Sequence, residues 1–107
     1  MYHGFLRTPD GRFTTIDVPG AGTSATQGSI PSDLNAAGKI VGPYLDASNV
    51  MHAFIRTPDG TITTFDAPGA GTSAGQGTSA NTIDPVGKIV GDYIDGDGVY
   101  HGFMRTP

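Results

Sequence analysis

Residues 38–46 alternate strictly: Ile40, Gly42 and Tyr44 fall on one side of an extended chain, and Val41, Pro43 and Leu45 on the other. Asp46-Ala47-Ser48-Asn49 is a turn signal, and residues 50–57 return as a second strand, so the pair reads as a hairpin. Pro58-Asp59-Gly60 is a second turn, in which Pro presets φ, Asp bonds nearby backbone and Gly accepts positive φ. Residues 61–67 close a second hairpin. Pro68-Gly69-Ala70-Gly71 ends it, because Pro cannot continue an inner ladder. A polar loop then runs to Gly77. A weaker pattern at 29–35, and again at 78–84, predicts one strand ahead of each Gly-Lys-Ile-Val-Gly block. The expected order is a (29–35), b (38–46), c (50–57) and d (61–67), an all-β, four-stranded antiparallel meander.

The same pattern occurs twice. His3, His52 and His101 are spaced 49 residues apart, as are Phe5, Phe54 and Phe103, and Arg7, Arg56 and Arg105. Residues 3–51 align with 52–100 without a gap and share 27 identities. A period of this length, each filled by a four-stranded meander, is the pattern of β-propeller blades. The chain therefore reads as two 49-residue repeats plus the start of a third. Its expected phase is strands c-d of a partial blade (1–19), a complete blade (29–67), and strands a-b-c of another partial blade (78–107). Propellers close with about four to eight blades, so this chain needs partners: a homo-oligomer of three or four chains with six or eight blades, or a place in a longer array.

Composition supports the β reading. All ten acidic residues are Asp, none is Glu, and Leu occurs only at 6, 34 and 45, so the strong helix formers are scarce. Gly (17) and Pro (8) recur at fixed places in the repeat, which marks repeated turns instead of low complexity. The net charge of −4 and six scattered basic residues argue against a nucleic-acid partner. No apolar run approaches the ~20 residues of a membrane span, and Met1 leads directly into the strand-like Tyr2-His3-Gly4-Phe5-Leu6. With no Cys, disulfides and thiolate metal sites are excluded.

Candidate chemistry is sparse, and no cofactor is implied. His52, Arg56 and Asp66 fall on neighbouring strands c and d and are expected to form a hydrogen-bonded set, with Asp17 as the counterpart of Asp66 in the first copy. Because the set recurs in every copy, a role in tying strands together fits better than one active site. Ser24 and Ser73 lack the Gly-x-Ser-x-Gly elbow that exposes a nucleophile. Asp92, Asp95 and Asp97 are a weak candidate for a cation, but the rest of a Ca²⁺-loop spacing is absent and Asp95-Gly96-Asp97-Gly98 fits a hairpin turn better. Tyr44 and Tyr93, with Tyr2 and Tyr100, offer faces for sugar stacking, although the alternation places Tyr44 and Tyr93 with the Ile/Gly side, as core. The expectation is a non-catalytic structural, self-assembling or interaction module, with a glycan-binding propeller as the alternative.

The motif His52-Ala53-Phe54, with its variants His3-Gly4-Phe5 and His101-Gly102-Phe103, resembles the signature of the HAF-type extracellular repeats of bacteria. Matching positions include Gly38, Ile40, Gly42, Tyr44, Asp46, residues 58–60 and residues 63–70. Leu34-Asn35 and Ile83-Asp84 stand where that family has Ile-Asn. The resemblance covers essentially the whole chain. It implies a propeller-like array in exported or cell-surface proteins, and no known reaction.

Overall fold

The computed structural model describes all 107 residues. It is all-β and contains no helix. The strands are β1 (Gly4–Arg7), β2 (Phe13–Ile16), β3 (Gly28–Ser29), β4 (Asp33–Leu34), β5 (Ile40–Leu45), β6 (Met51–Arg56), β7 (Ile62–Phe65), β8 (Gly77–Ile83), β9 (Ile89–Ile94) and β10 (Tyr100–Arg105). Strands β5 and β9, β6 and β10, and β2 and β7 each lie 49 residues apart. The molecule measures 46 × 32 × 17 Å, and its sheets are open.

Hairpin β5–β6 pairs Ile40 with Arg56 through Leu45 with Met51, and β7 adds to the far side of β6. β9–β10 repeats the first of these pairings, and β8 lies on the other edge of β9. β1 and β2 form a separate two-stranded sheet. Successive units meet through one parallel bridge each, Tyr2 with Gly28 and Met51 with Gly77. Both glycines have φ near +120°, and a Cβ on either would run into the backbone of Tyr2 or Met51. Only Gly allows this approach.

Strand a departs from the expectation in the first copy. It is not one strand at 29–35 but two short pieces, β3 and β4, whereas β8 runs unbroken in strand assignment, with a bulge between Ala80 and Thr82. The reason is Pro31, which stands where β8 has Ala80. Pro has no N–H to give the ladder, so regular pairing with β5 lapses there, although Ile30 N–H and Ser32 N–H still donate to the carbonyls of Pro43 and Val41.

Two apolar clusters hold the units together. Ile40, Tyr44 and Phe54 from one face of β5–β6 pack against Ile16 and Val18. From the opposite face, Val41 and Ala53 pack against Ala80, Ile83 and Ile89. The predicted alternation of Ile40 and Tyr44 against Val41 is thus visible as two buried faces of β5. Every buried apolar side chain falls between Ile16 of β2 and Ile89 of β9, so the first and last strands, β1 and β10, contribute none. Phe54 is 0% exposed, but its counterpart Phe5 is 64% exposed and Phe103 only partly covered, so the repeated Phe is a core residue in the middle copy alone. Buried hydroxyls also link the units. Ser29 Oγ accepts from Val18 N–H at 2.9 Å, and Thr78 Oγ1 accepts from Ala67 N–H at 3.0 Å.

Candidate functional site

The most organised polar cluster lies on the middle repeat. Asp46 opens the β5–β6 turn, where its Oδ1 accepts from Ser48 N–H (2.8 Å) and Val50 N–H (3.1 Å). That leaves Oδ2 pointing at the next strand. His52 sits opposite Tyr44 in the antiparallel register, and the two rings stack with centroids 5.1 Å apart. Asp66 follows β7 directly. The His52 ring therefore spans three elements: Nε2 donates to Asp46 Oδ2 at 2.8 Å and Nδ1 donates to Asp66 Oδ1 at 2.7 Å.

This geometry fixes the charge state. An ionised carboxylate can only accept, so a ring with a carboxylate on each nitrogen needs both N–H donors, which is the imidazolium form. Burial pushes the His52 pKa down, but the hydrogen bonds and charges of Asp46 and Asp66 outweigh it and leave it raised. Burial likewise pushes Asp46 up, yet its bonds from His52 and from the Val50 and Ser48 amides hold it below the ordinary carboxylate range. Burial raises the Tyr44 phenol. Neither His52 nitrogen is free to take a proton from a substrate or to bind a metal.

The outer copies carry half of the arrangement. His3 Nδ1 donates to Asp17 Oδ1 at 2.7 Å, with no carboxylate on Nε2. His101 Nε2 donates to Asp95 Oδ2 at 2.8 Å and stacks on Tyr93 at 4.9 Å, with no carboxylate on Nδ1. The Asp95 carboxyl is held low, chiefly by its bond from His101 and next by the Val99 amide.

The expected set of His52, Arg56 and Asp66 is thus corrected. Asp66 belongs to it, Arg56 does not, and Asp46 takes its place. The signal for Asp46 was an Asp six residues before the His in two copies, Asp46/His52 and Asp95/His101. Of the other arginines, Arg105 lies over the Phe65 ring at 4.8 Å and Arg7 over Phe13 at 5.9 Å. The candidate cation ligands do not converge. Asp95 Oδ1 accepts from the Asp97 and Val99 amides, capping the hairpin turn, while Asp92 meets Asn81 at 3.4 Å. No group of three His or Asp side chains is arranged to hold a metal. Tyr44 is buried against His52, in the core as the alternation predicts, whereas Tyr93 is only half-buried and lies in neither apolar cluster, because no strand follows β10 as β7 follows β6.

The loops carrying Ser24 and Ser73 are built alike. Gln27 Oε1 accepts from Ser24 N–H and Gln76 Oε1 from Ser73 N–H, both at 3.1 Å, so each glutamine braces its loop. No protein-family model, curated protein or solved structure matches the chain.

Proposed function

We propose that the chain is a non-catalytic, β-propeller-like repeat module that acts as a structural, self-assembling unit. The observation that carries this reading is a mismatch between the middle of the molecule and its ends. Val41 is 0% exposed, while its counterpart Val90 is 49% exposed; Phe54 and Phe5 differ in the same way. The ends thus present the apolar faces that the middle repeat covers with a neighbour. Faces and unpaired edges of this kind call for a partner of the same shape.

The His52 clamp supports the non-catalytic part. Both ring nitrogens are engaged by carboxylates, and no serine of the braced loops lies in a nucleophile arrangement. The resemblance to HAF-type repeats supports a place in exported or cell-surface proteins of bacteria, and the acidic balance speaks against nucleic acid. The partner is then another run of the same repeat, and three or four chains would supply six or eight blades, within the range of about four to eight in which propellers close. Sedimentation velocity over a wide concentration range tests this. Assembly into a species larger than one chain is expected; a folded single chain at every concentration overturns it.

A further inference from the structure

We propose that two copies of this chain join head to tail by strand exchange. In the join, the β1–β2 hairpin of a second copy takes the place of β10 and completes the carboxylate–imidazole–carboxylate clamp across two chains. This rests on the reading of the chain as a self-assembling module and specifies its interface.

Two open grooves carry the argument. One, of about 370 Å³, lies between residues 65–68 and 103–106. The corresponding residues 49 earlier are 16–19 and 54–57. There β7 pairs with β6, and Ile62 packs on the cluster containing Ile16 and Phe54. The groove is therefore the slot of a strand d. The chain carries such a strand at its other end: β2, with the exposed Phe13 at the position of Ile62.

The second groove, of about 390 Å³, is lined by residues 5–7 and 31–34 with Ile40. Their counterparts 49 later include Ala80, Ile83 and Ile89, which surround Val41 of β5. This groove is the slot of a strand b, and β9 supplies one, with the half-exposed Val90 at the position of Val41. A single junction fills both: β2 of the second copy enters the first groove, and β9 enters the second copy's groove. Leu34 of the second copy then meets Val90, as Ile83 meets Val41 within one chain.

Only position c is contested, by β1 and β10. Residues 1–9 and 99–107 are identical at seven of nine positions, so either strand offers nearly the same side chains. β10 is the one to yield. It pairs with β9 alone and most of its residues are exposed. β1 is held by β2, by the Tyr2–Gly28 bridge and by close packing of Gly4 on Pro31. Once exchanged, the second copy's His3 keeps its own Asp17 and gains Asp95, whose Oδ2 held His101 at 2.8 Å. Its ring stacks on Tyr93, and its Phe5 packs against Phe65 in place of Phe103. Each chain then contributes two whole repeats with no strand left in excess within the sheet. The contact is heterologous, so it propagates to a ring or a filament.

The test uses two full-length variants, Leu34→Asp and Val90→Asp, each blocking one end at a half-exposed position. Wild type is expected to assemble, each variant alone to sediment as a single chain, and an equimolar mixture to form a 1:1 pair and stop there. Circular dichroism checks folding; if an Asp variant loses its folded signal, Leu34→Thr or Val90→Thr replaces it, with the same pattern expected. Hydrogen exchange reads the strand itself, since residues 100–105 should lose protection in the assembled protein while β9 keeps it. Wild type that never assembles overturns both the module reading and the junction. Assembly that survives in either variant alone, a mixture that fails to pair, or a β10 that stays protected overturns the junction and leaves self-assembly standing.

Discussion

The middle repeat and its two outer counterparts carry the same residues in different surroundings. Phe54 is enclosed by Ile16, Ile40 and Tyr44, while Phe5, 64% exposed, meets the tilted ring of Phe13, 5.5 Å away. His52 is bound at both nitrogens, and His3 and His101 at one each. Closely similar local sequence thus yields a core residue in one place and a surface residue in another. Hairpins form from local pattern and turn chemistry, whereas burial is made by the neighbouring unit. Stability in such an array is a sum of repeat terms and contacts between adjacent repeats.

The sharpest way to break that comparison is to truncate equivalent phenylalanines. Phe54→Ala is expected to cost about 3–5 kcal/mol, as for other buried Phe truncations. Phe5→Ala, at a mostly exposed site, is expected to cost about 1 kcal/mol or less. Urea denaturation of both variants at a concentration where the chain is single checks the contrast. Equal costs would show that the outer strands are as enclosed as the middle ones. The bridging glycines give a second contrast. Gly77→Ala forces a Cβ into the Met51 backbone at positive φ and should cost about 1–3 kcal/mol. Gly96→Ala meets nothing within 4 Å and should cost about 0.5 kcal/mol or less, as read by thermal melting.

The hairpins were legible because each depends on neighbours in sequence. Ile40, Val41 and Tyr44 announce both faces of β5 by alternation, and Pro58-Asp59-Gly60 announces the turn between β6 and β7. Three things were not legible, each for a physical reason. The split of strand a turns on one missing N–H at Pro31, within a segment whose apolar pattern is weak. Asp46 looked like a turn residue, which it is: one carboxylate oxygen caps the turn and the other reaches His52, and spacing alone shows only the first task. The unequal burial of Phe5, Phe54 and Phe103 depends on which units flank each one, and a repeat by itself predicts equivalence.

The clamp sharpens the comparison through pH. The pKa of His52 is raised, so its stabilising contribution is full below the histidine's unfolded value and is lost as pH rises through the folded one. Asp46 has a lowered pKa, so its contribution is present above the ordinary carboxylate range and is lost as pH falls through its folded value. Stability is therefore expected to peak between these limits. Within that window His52→Gln should cost about 1–3 kcal/mol, because the neutral amide removes the charge and cannot donate in opposite directions to both carboxylates. Across the alkaline limb its melting temperature should change less with pH than that of wild type. His3→Gln removes one exposed bond and should cost about 0.5 kcal/mol. Parallel melting series from acid to alkaline pH measure all three proteins; a wild-type curve flat through the alkaline limb would break the argument.

The smallest expected effect separates two equivalent arginines. Arg105 lies over the Phe65 ring at 4.8 Å, but Arg56 faces a unit whose corresponding residue is Ile16 and so offers no π face. Removing the guanidinium by Arg105→Ala should therefore cost about 0.5–1 kcal/mol through the lost cation–π contact. The loss of packing by its aliphatic stem would add to this without involving the ring. A double-mutant cycle with Phe65→Ile separates the two, since only the ring-dependent part couples. A coupling of about 0.5 kcal/mol or more is expected for Arg105 with Phe65, and none for Arg56 with Phe65. The cycle belongs at a concentration where the chain is single, because in the proposed junction β10 leaves and the second copy's Arg7 takes its position over the ring. Repeating it in the assembled protein should move the coupling from Arg105 to Arg7, and coupling that stays with Arg105 would argue against the exchange.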